Sequence, residues 1–188
     1  METYVNQLVV ILDSQQEKVV LVGHSFNGIA ISRVAELRPK KINRLVYLTA
    51  FLLPNGASFY DAVQGVPDSK AVEHFFLSED QTQAFVKAEE MQNAFAHDIP
   101  AEAFNQAKVY IVPEPAATLG YKLEVTDAVF GEIPKYYIEC TADRAIPISA
   151  QRSMYEGKVK KVFTLNSSHT PNFSQPDKLA AILLEVIQ

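Results

Sequence analysis

Two kinds of hydrophobic repeat alternate along the chain. Short runs rich in β-branched and other apolar residues predict strands at 18–23, 44–49, 135–140 and 161–165. The first of them is a continuous apolar run that ends in a glycine, which is typical of a strand covered on both faces. Stretches with apolar residues three or four positions apart predict helices that begin near Met1, Phe26 and Pro176. Because strands alternate with amphipathic helices, we expect an α/β fold built on a parallel sheet.

The middle of the chain, residues 58–131, has a different pattern. It holds no strong strand run, and residues 77–96 are helix-like, since Ser78 is followed by two acidic residues as in a helical first turn. Shorter helices are predicted near 101–108 and 116–129. We therefore expect a mostly helical insert, here called the cap insert, between two strands of the sheet. The pattern leaves open whether it covers a site or only adds structural helices.

Composition narrows the class of protein. A length of 188 residues with 48% hydrophobic and 21% charged residues is typical of one soluble globular domain, residues 1–188. The net charge of −5 argues against nucleic-acid binding and against polybasic attachment to a membrane. No run of about 18 apolar residues and no secretory leader is visible. The single cysteine, Cys140, argues against a disulfide and a multi-cysteine metal site, so we expect a cytoplasmic protein.

The clearest chemical feature is the segment 20–28, VLVGHSFNG, in which a buried strand runs directly into a helix. A tight turn of this kind lifts the hydroxyl of Ser25 clear of the sheet. Its strain favours small residues two positions away on either side. Gly23 meets this condition, whereas Asn27 stands where a glycine is usual and Gly28 comes one residue later. The alternative is that Ser25 only caps the helix.

A nucleophilic serine needs a base, and the base needs an acid that orients it. Asp143 follows the third predicted strand by a short loop, and His169 follows the fourth in the same way. Ligands bind at the carboxyl edge of open α/β sheets, and parallel strands deliver both residues there. We therefore expect Ser25, Asp143 and His169 to meet. Taken singly, Asp143 could be a helix cap and His169 an ordinary loop residue.

Three segments together resemble an α/β hydrolase of the plant methylesterase and hydroxynitrile lyase branch, with its bacterial esterase relatives. They are VGHSFNG at 22–28, TADRAIP at 141–147 and SHTPNFSQP at 168–176. The resemblance implies that Ser25 is the nucleophile, His169 the general base and acid, and Asp143 the acid that orients His169. It also implies that the Phe26 N–H is an oxyanion donor and that His24 lies at the edge of the substrate pocket.

The resemblance further implies a small ester as substrate and no cofactor or metal. Such hydrolases begin with several strands and a His-Gly loop that supplies a second oxyanion donor, and the sequence contains no His-Gly dipeptide. The expected core is thus an N-terminally abbreviated α/β hydrolase. The nucleophile strand would then have an exposed edge, which a homodimer could cover.

Three functions remain open. The first is hydrolysis of small carboxylic esters. The second is cyanohydrin cleavage, although Thr170 stands where the resembling lyases have a lysine. The third is a catalytically silent binding module, which Asn27 and the missing strands favour. Several phenylalanines could line an apolar pocket or only pack the core, namely Phe51, Phe59, Phe75, Phe76, Phe95 and Phe104.

Overall fold

A computed structural model describes residues 1–64, 66 and 68–188 of the chain. Its helices are α1 (Glu2–Asp13), α2 (Asn27–Leu37), α3 (Phe59–Val63), α4 (Lys70–Glu73), α5 (Met91–Phe95), α6 (Ala101–Ala107), α7 (Ala116–Leu119), α8 (Ile148–Tyr155), α9 (Pro171–Ser174) and α10 (Pro176–Ile187). Its strands are β1 (Val19–His24), β2 (Ile42–Leu48), β3 (Phe75–Leu77), β4 (Gln83–Val86), β5 (Glu114–Pro115), β6 (Lys135–Cys140) and β7 (Lys161–Leu165).

The main sheet contains four parallel strands in the order β1-β2-β6-β7. These are the four predicted strands, each with bounds within two residues of the prediction. The three predicted helices correspond to α1, α2 and α10, and α2 ends at Leu37, before Pro39. The α/β fold with a parallel sheet is therefore confirmed. The carboxyl ends of the four strands lie along one edge of the sheet.

Helices cover the two faces of this sheet. On one face the buried side chains of α1 and α2 belong to one hydrophobic cluster with Tyr47 and Tyr137, whose rings stack on each other with centroids 6.4 Å apart. On the other face α10 packs Leu179 and Val186 against β2, β6 and β7. Within the part of the chain that the structure describes, β1 pairs with β2 alone, and Val22 is 40% exposed. The prediction that this strand is covered on both faces is therefore wrong at Val22.

The cap insert differs from its prediction at residues 77–96. In place of one helix, β3 and β4 form an antiparallel hairpin, with β5 on the other side of β4, and only α5 is helical. Asp80 accounts for the difference, because its carboxylate accepts hydrogen bonds from the Ser78 hydroxyl and from the amide and hydroxyl of Thr82. Such local bonds compete with a helix and stabilise a turn.

The second half of the cap insert is partly as predicted. The helix predicted near 101–108 is α6, whereas the one predicted over 116–129 is limited to α7 and a π-helical turn at Asp127–Gly131. Between them the chain is extended, since Leu123 exchanges backbone hydrogen bonds with Gly56 and Ala57 at 2.7 and 2.8 Å. The fully buried Leu123 side chain explains why tertiary packing overrides local helix propensity. Among the described residues, no helix is long and apolar enough to cross a membrane.

Candidate active site

Ser25 lies at the turn between β1 and α2 in a strained backbone conformation. Its φ of 55° is in the left-handed region, which residues other than glycine rarely adopt. Three backbone hydrogen bonds hold it there: its N–H donates to Leu48, and its carbonyl accepts from Gly28 and Phe51, at 3.1–3.2 Å. Strain of this kind is maintained where the surroundings determine it and is often found at functional sites.

The glycine that this turn requires is Gly28. A Cβ at Gly28 would lie 2.4 Å from the carbonyl oxygen of Phe51, so the backbone after β2 approaches too closely for any side chain. A Cβ at Gly23 would lie 2.8 Å from the Ile31 side chain, so close packing also favours a glycine at position 23. Asn27 is exposed at the start of α2. The departure from the usual glycine spacing is therefore compatible with the turn.

Asp143 and His169 are in contact at the same edge of the sheet. The Nδ1 atom of His169 lies 2.7 Å from Oδ2 of Asp143, and both side chains are buried. The other oxygen, Oδ1, accepts hydrogen bonds from the amides of Ala145 and Ile146 at 2.7 and 2.9 Å. Because the carboxylate accepts, the neutral His169 ring donates from Nδ1 and keeps Nε2 as an acceptor. This is the tautomer that a general base for a serine needs.

His169 lies between the turn that carries Ser25 and the cap insert. Its ring centroid is 4.7 Å from that of His24 and 5.5 Å from that of Phe95. Although Ser25 and His169 are both among the described residues, no hydrogen bond joins the Ser25 hydroxyl to the ring. Contacts between nucleophile and base are often long until substrate is bound.

His24 contacts the backbone of His169. Its Nε2 lies 2.7 Å from the His169 carbonyl oxygen and must donate, because a carbonyl only accepts. Burial, together with the nearby His169, lowers the pKa of His24 to about 4, so its ring is neutral at pH 7. The Nε2–H of His24 is therefore hydrogen-bonded within the protein. Contact between the other atoms of this ring and the substrate stays a prediction.

Phe26 provides the amide that follows the serine. Among the described residues its N–H donates to no protein acceptor. Its ring lies edge-on to Phe59, with centroids 5.7 Å apart, and Phe59 is edge-on to Phe51 at 5.2 Å. The amide is therefore free to bind an oxygen beside Ser25.

A short segment of the cap insert, residues 95–98, contacts the loops that carry Asp143 and His169. His97 donates from Nε2 to the carbonyl of Ala142 at 2.8 Å, and the carboxylate of Asp98 accepts from the Ser168 amide at 2.8 Å. Partial burial opposes ionisation of Asp98, but the hydrogen bonds from Ser168 outweigh it and lower the pKa of this carboxyl. The insert thus binds the residues next to both members of the pair.

A cavity of about 690 Å³ lies between the segment after β2, the cap insert and α8. Its lining includes Phe51, Leu53, Ile146 and Met154, but neither Ser25 nor His169. Of the two alternatives for the phenylalanines, packing applies to Phe76, which stacks on Phe85 in the cap hairpin, and to Phe104, which is buried in a small cluster within the insert. Among the described residues, no group of three His, Cys, Asp or Glu side chains could hold a metal ion.

Sequence reasoning missed three residues around this pair: Thr49, His97 and Asp98. Thr49 directly follows β2, and its hydroxyl donates to Oδ2 of Asp143 at 2.5 Å. Its place at the carboxyl end of a predicted strand was a usable signal. The sequence around His97 and Asp98 gave no such signal, because the contacts of these residues depend on how the cap insert folds back on the core.

Comparisons with known proteins identify the family of this chain. A model of the alpha/beta hydrolase family matches residues 2–182. The chain is 34% identical to putative methylesterase 11, chloroplastic, of Arabidopsis thaliana, over 97% of this chain and 50% of that protein. It is 30% identical to methylesterase 7 of the same organism, over 93% of this chain and 71% of that protein.

Solved structures give the same result. The crystal structure of a pyrethroid hydrolase from Sphingobium faniae JZ-2 is similar with a TM-score of 0.86 and 28% identity, over 98% of this chain and 76% of that one. The chain spans about half the length of methylesterase 11. The family model, the relatives and the fold all indicate the same family. The chain belongs to the α/β hydrolase family, in its methylesterase branch.

Proposed function

We propose that this chain is a serine hydrolase of small carboxylic esters, with Ser25 as nucleophile, His169 as base and Asp143 as orienting acid. The observation that carries the proposal is the 2.7 Å contact between His169 Nδ1 and Asp143 Oδ2, at the same sheet edge as the strained Ser25. The relatives named methylesterase and pyrethroid hydrolase support hydrolysis as the reaction class. We take residues 58–131 as the cap over this site, because His97 and Asp98 contact its loops.

The reaction follows from the arrangement of donors and acceptors. Oγ of Ser25 attacks the ester carbonyl while Nε2 of His169 takes the hydroxyl proton, and Asp143 stabilises the imidazolium that forms. The tetrahedral intermediate collapses, the alcohol leaves with the proton from His169, and an acyl group remains on Ser25. Water, deprotonated by His169, then attacks the acyl-enzyme and releases the acid and the free serine.

The Phe26 amide supplies one donor to the oxyanion in this scheme. Loss of one oxyanion donor typically lowers kcat by about 100-fold. We therefore expect the Phe26 amide to contribute about this factor to turnover.

The first test is covalent labelling of the chain by a fluorophosphonate, together with hydrolysis of p-nitrophenyl acetate. We expect both in the wild-type chain and in Ser14→Ala, which removes an exposed serine hydroxyl just after α1. We expect neither in Ser25→Ala. Full activity in Ser25→Ala would disprove the triad. A folded wild-type chain that is neither labelled nor active would favour the silent binding module instead.

Cyanohydrin cleavage remains the second candidate on the same scaffold. The structure gives one observation against it, because the Thr170 hydroxyl donates to the carbonyl of Phe95 at 3.0 Å and offers no cation. We expect no release of cyanide from mandelonitrile above that of Ser25→Ala. Serine-dependent release would overturn this preference.

The homodimer remains a prediction. β1 is the edge strand of the main sheet, and Val22 on it is 40% exposed. An edge of this kind can pair with another chain. We expect sedimentation equilibrium to give twice the mass of the chain and Val22→Lys to give the mass of a monomer. A wild-type monomer would contradict the prediction.

A further inference from the structure

Thr49 has an unusual backbone for its residue type. It directly follows β2, is fully buried, and has a φ of 36°. A β-branched residue at positive φ is a genuine outlier, because its Cβ substituents crowd the backbone. The N–H of Thr49 donates to the carbonyl of Ile138 at 2.8 Å, which fixes this conformation to the neighbouring strand β6. A glycine would adopt it without strain, so the threonine side chain needs another explanation.

The Thr49 hydroxyl provides that explanation. It donates to Oδ2 of Asp143 at 2.5 Å, and this is the same oxygen that lies 2.7 Å from Nδ1 of His169. Since Oδ1 accepts from the amides of Ala145 and Ile146, the carboxylate has two donors on each oxygen. A carboxylate accepts about four hydrogen bonds, so Asp143 is saturated and its rotation is fixed.

The segment after β2 is itself held rigidly. The hydroxyl of Tyr137 donates to the carbonyl of Ala50 at 2.9 Å and accepts from its amide at 3.0 Å. The Tyr137 ring is fully buried between its neighbours on β2 and α8. The donor at Thr49 is therefore placed by the sheet and not by a mobile loop.

We propose that Thr49 is a positioning residue that holds the Asp143 carboxylate so that Oδ2 faces His169. The inference rests on the proposed function, because it acts through the pair formed by Asp143 and His169. Thr49 itself contacts neither the Ser25 hydroxyl nor, in this scheme, the substrate. Without its donor, the carboxylate can turn about its Cβ–Cγ bond, and the His169 ring spends less time in the orientation that removes the serine proton.

The test compares variants that differ in the hydroxyl. Thr49→Val keeps the shape and removes the donor, whereas Thr49→Ser keeps the donor. We expect kcat for p-nitrophenyl acetate to fall about tenfold in Thr49→Val with KM within about twofold, and Thr49→Ser to restore most of it. Thr118→Val is the matched control, since it removes a buried hydroxyl that bonds within the cap insert at Glu114 and Pro115.

A second readout does not depend on turnover. The proton on Nδ1 of His169 should give a downfield NMR line that is sharp in the wild type and Thr49→Ser. We expect exchange with water to broaden this line in Thr49→Val. A purely structural role would lower only the unfolding midpoint and leave the line unchanged. If Thr49→Val folds poorly, Thr49→Gly removes the hydroxyl while accommodating the positive φ.

The outcomes separate this inference from the proposed function. Turnover that survives Ser25→Ala overturns the proposed function. Suppose instead that turnover depends on Ser25 but is equal in Thr49→Val and the wild type, and that the NMR line is unchanged. This result overturns the role of Thr49 and leaves the proposed function intact. If the chain shows no turnover, the NMR line decides: broadening in Thr49→Val supports the positioning role, and an unchanged line overturns it.

Discussion

Asp143→Asn should lower kcat by about 10³- to 10⁴-fold while leaving the chain folded. The structure explains why the loss would be so large. The amides of Ala145 and Ile146 require an acceptor at Oδ1, so the asparagine carbonyl will occupy that side. Its NH₂ group then faces His169 in place of Oδ2. Because that group donates, Nδ1 of His169 must accept, and the ring carries its proton on Nε2.

A His169 ring with the proton on Nε2 cannot take the proton of Ser25. The defect therefore concerns the tautomer and not the packing, so KM and the unfolding midpoint should change little. Asp177→Asn, the same chemical change at the exposed start of α10, is the control and should retain wild-type activity. The measurement is steady-state hydrolysis of p-nitrophenyl acetate. A kcat within tenfold of the wild type would show that Asp143 does not orient the base.

The core of the fold could be predicted because its signals are local. Each strand of the main sheet contains a short run that is mostly apolar, and α1, α2 and α10 have apolar residues at helical spacing. Parallel strands then bring their carboxyl ends together whatever the details of packing. For this reason Asp143 and His169 could be placed from sequence alone, and the structure finds them 2.7 Å apart.

The cap insert could not be predicted to the same extent, since its conformation depends on contacts distant in sequence. The acidic residues after Ser78 are typical of a helical first turn, but the side chain of Asp80 closes a turn. Leu123 lies in a segment of helical composition and is extended because it pairs with Gly56 and Ala57. His97 and Asp98 face the loops of the site only because the insert folds back over the sheet.

The turn that carries Ser25 shows how a sequence pattern can mislead by one residue. The usual spacing places the second glycine at position 27, where Asn27 suggests a defective turn. In the structure the close approach occurs at position 28, where the backbone of Phe51 leaves no room for a Cβ. What matters is where the segment after β2 crosses α2. That crossing is a tertiary contact that no local pattern encodes.

Gly28→Ala should destabilise the chain by about 1–3 kcal/mol and greatly reduce labelling of Ser25. The new Cβ would lie 2.4 Å from the carbonyl oxygen and 2.9 Å from the nitrogen of Phe51, and backbone atoms cannot rotate away as a side chain can. The segment after β2 must therefore shift. Since the Phe51 amide donates to the Ser25 carbonyl at 3.1 Å, that shift also releases the strained turn.

Gly120→Ala is the matched control for this change. It adds the same methyl group at the end of α7, where the nearest atom would be in the Tyr60 ring at 3.9 Å, an ordinary contact. We expect its stability to stay within about 0.5 kcal/mol of the wild type. Thermal unfolding should separate the two variants, because 1 kcal/mol corresponds to about 2–4 °C in Tm for a chain of this size. Equal Tm values, with equal rates of fluorophosphonate labelling, would show that the backbone of Phe51 does not constrain the turn that carries Ser25.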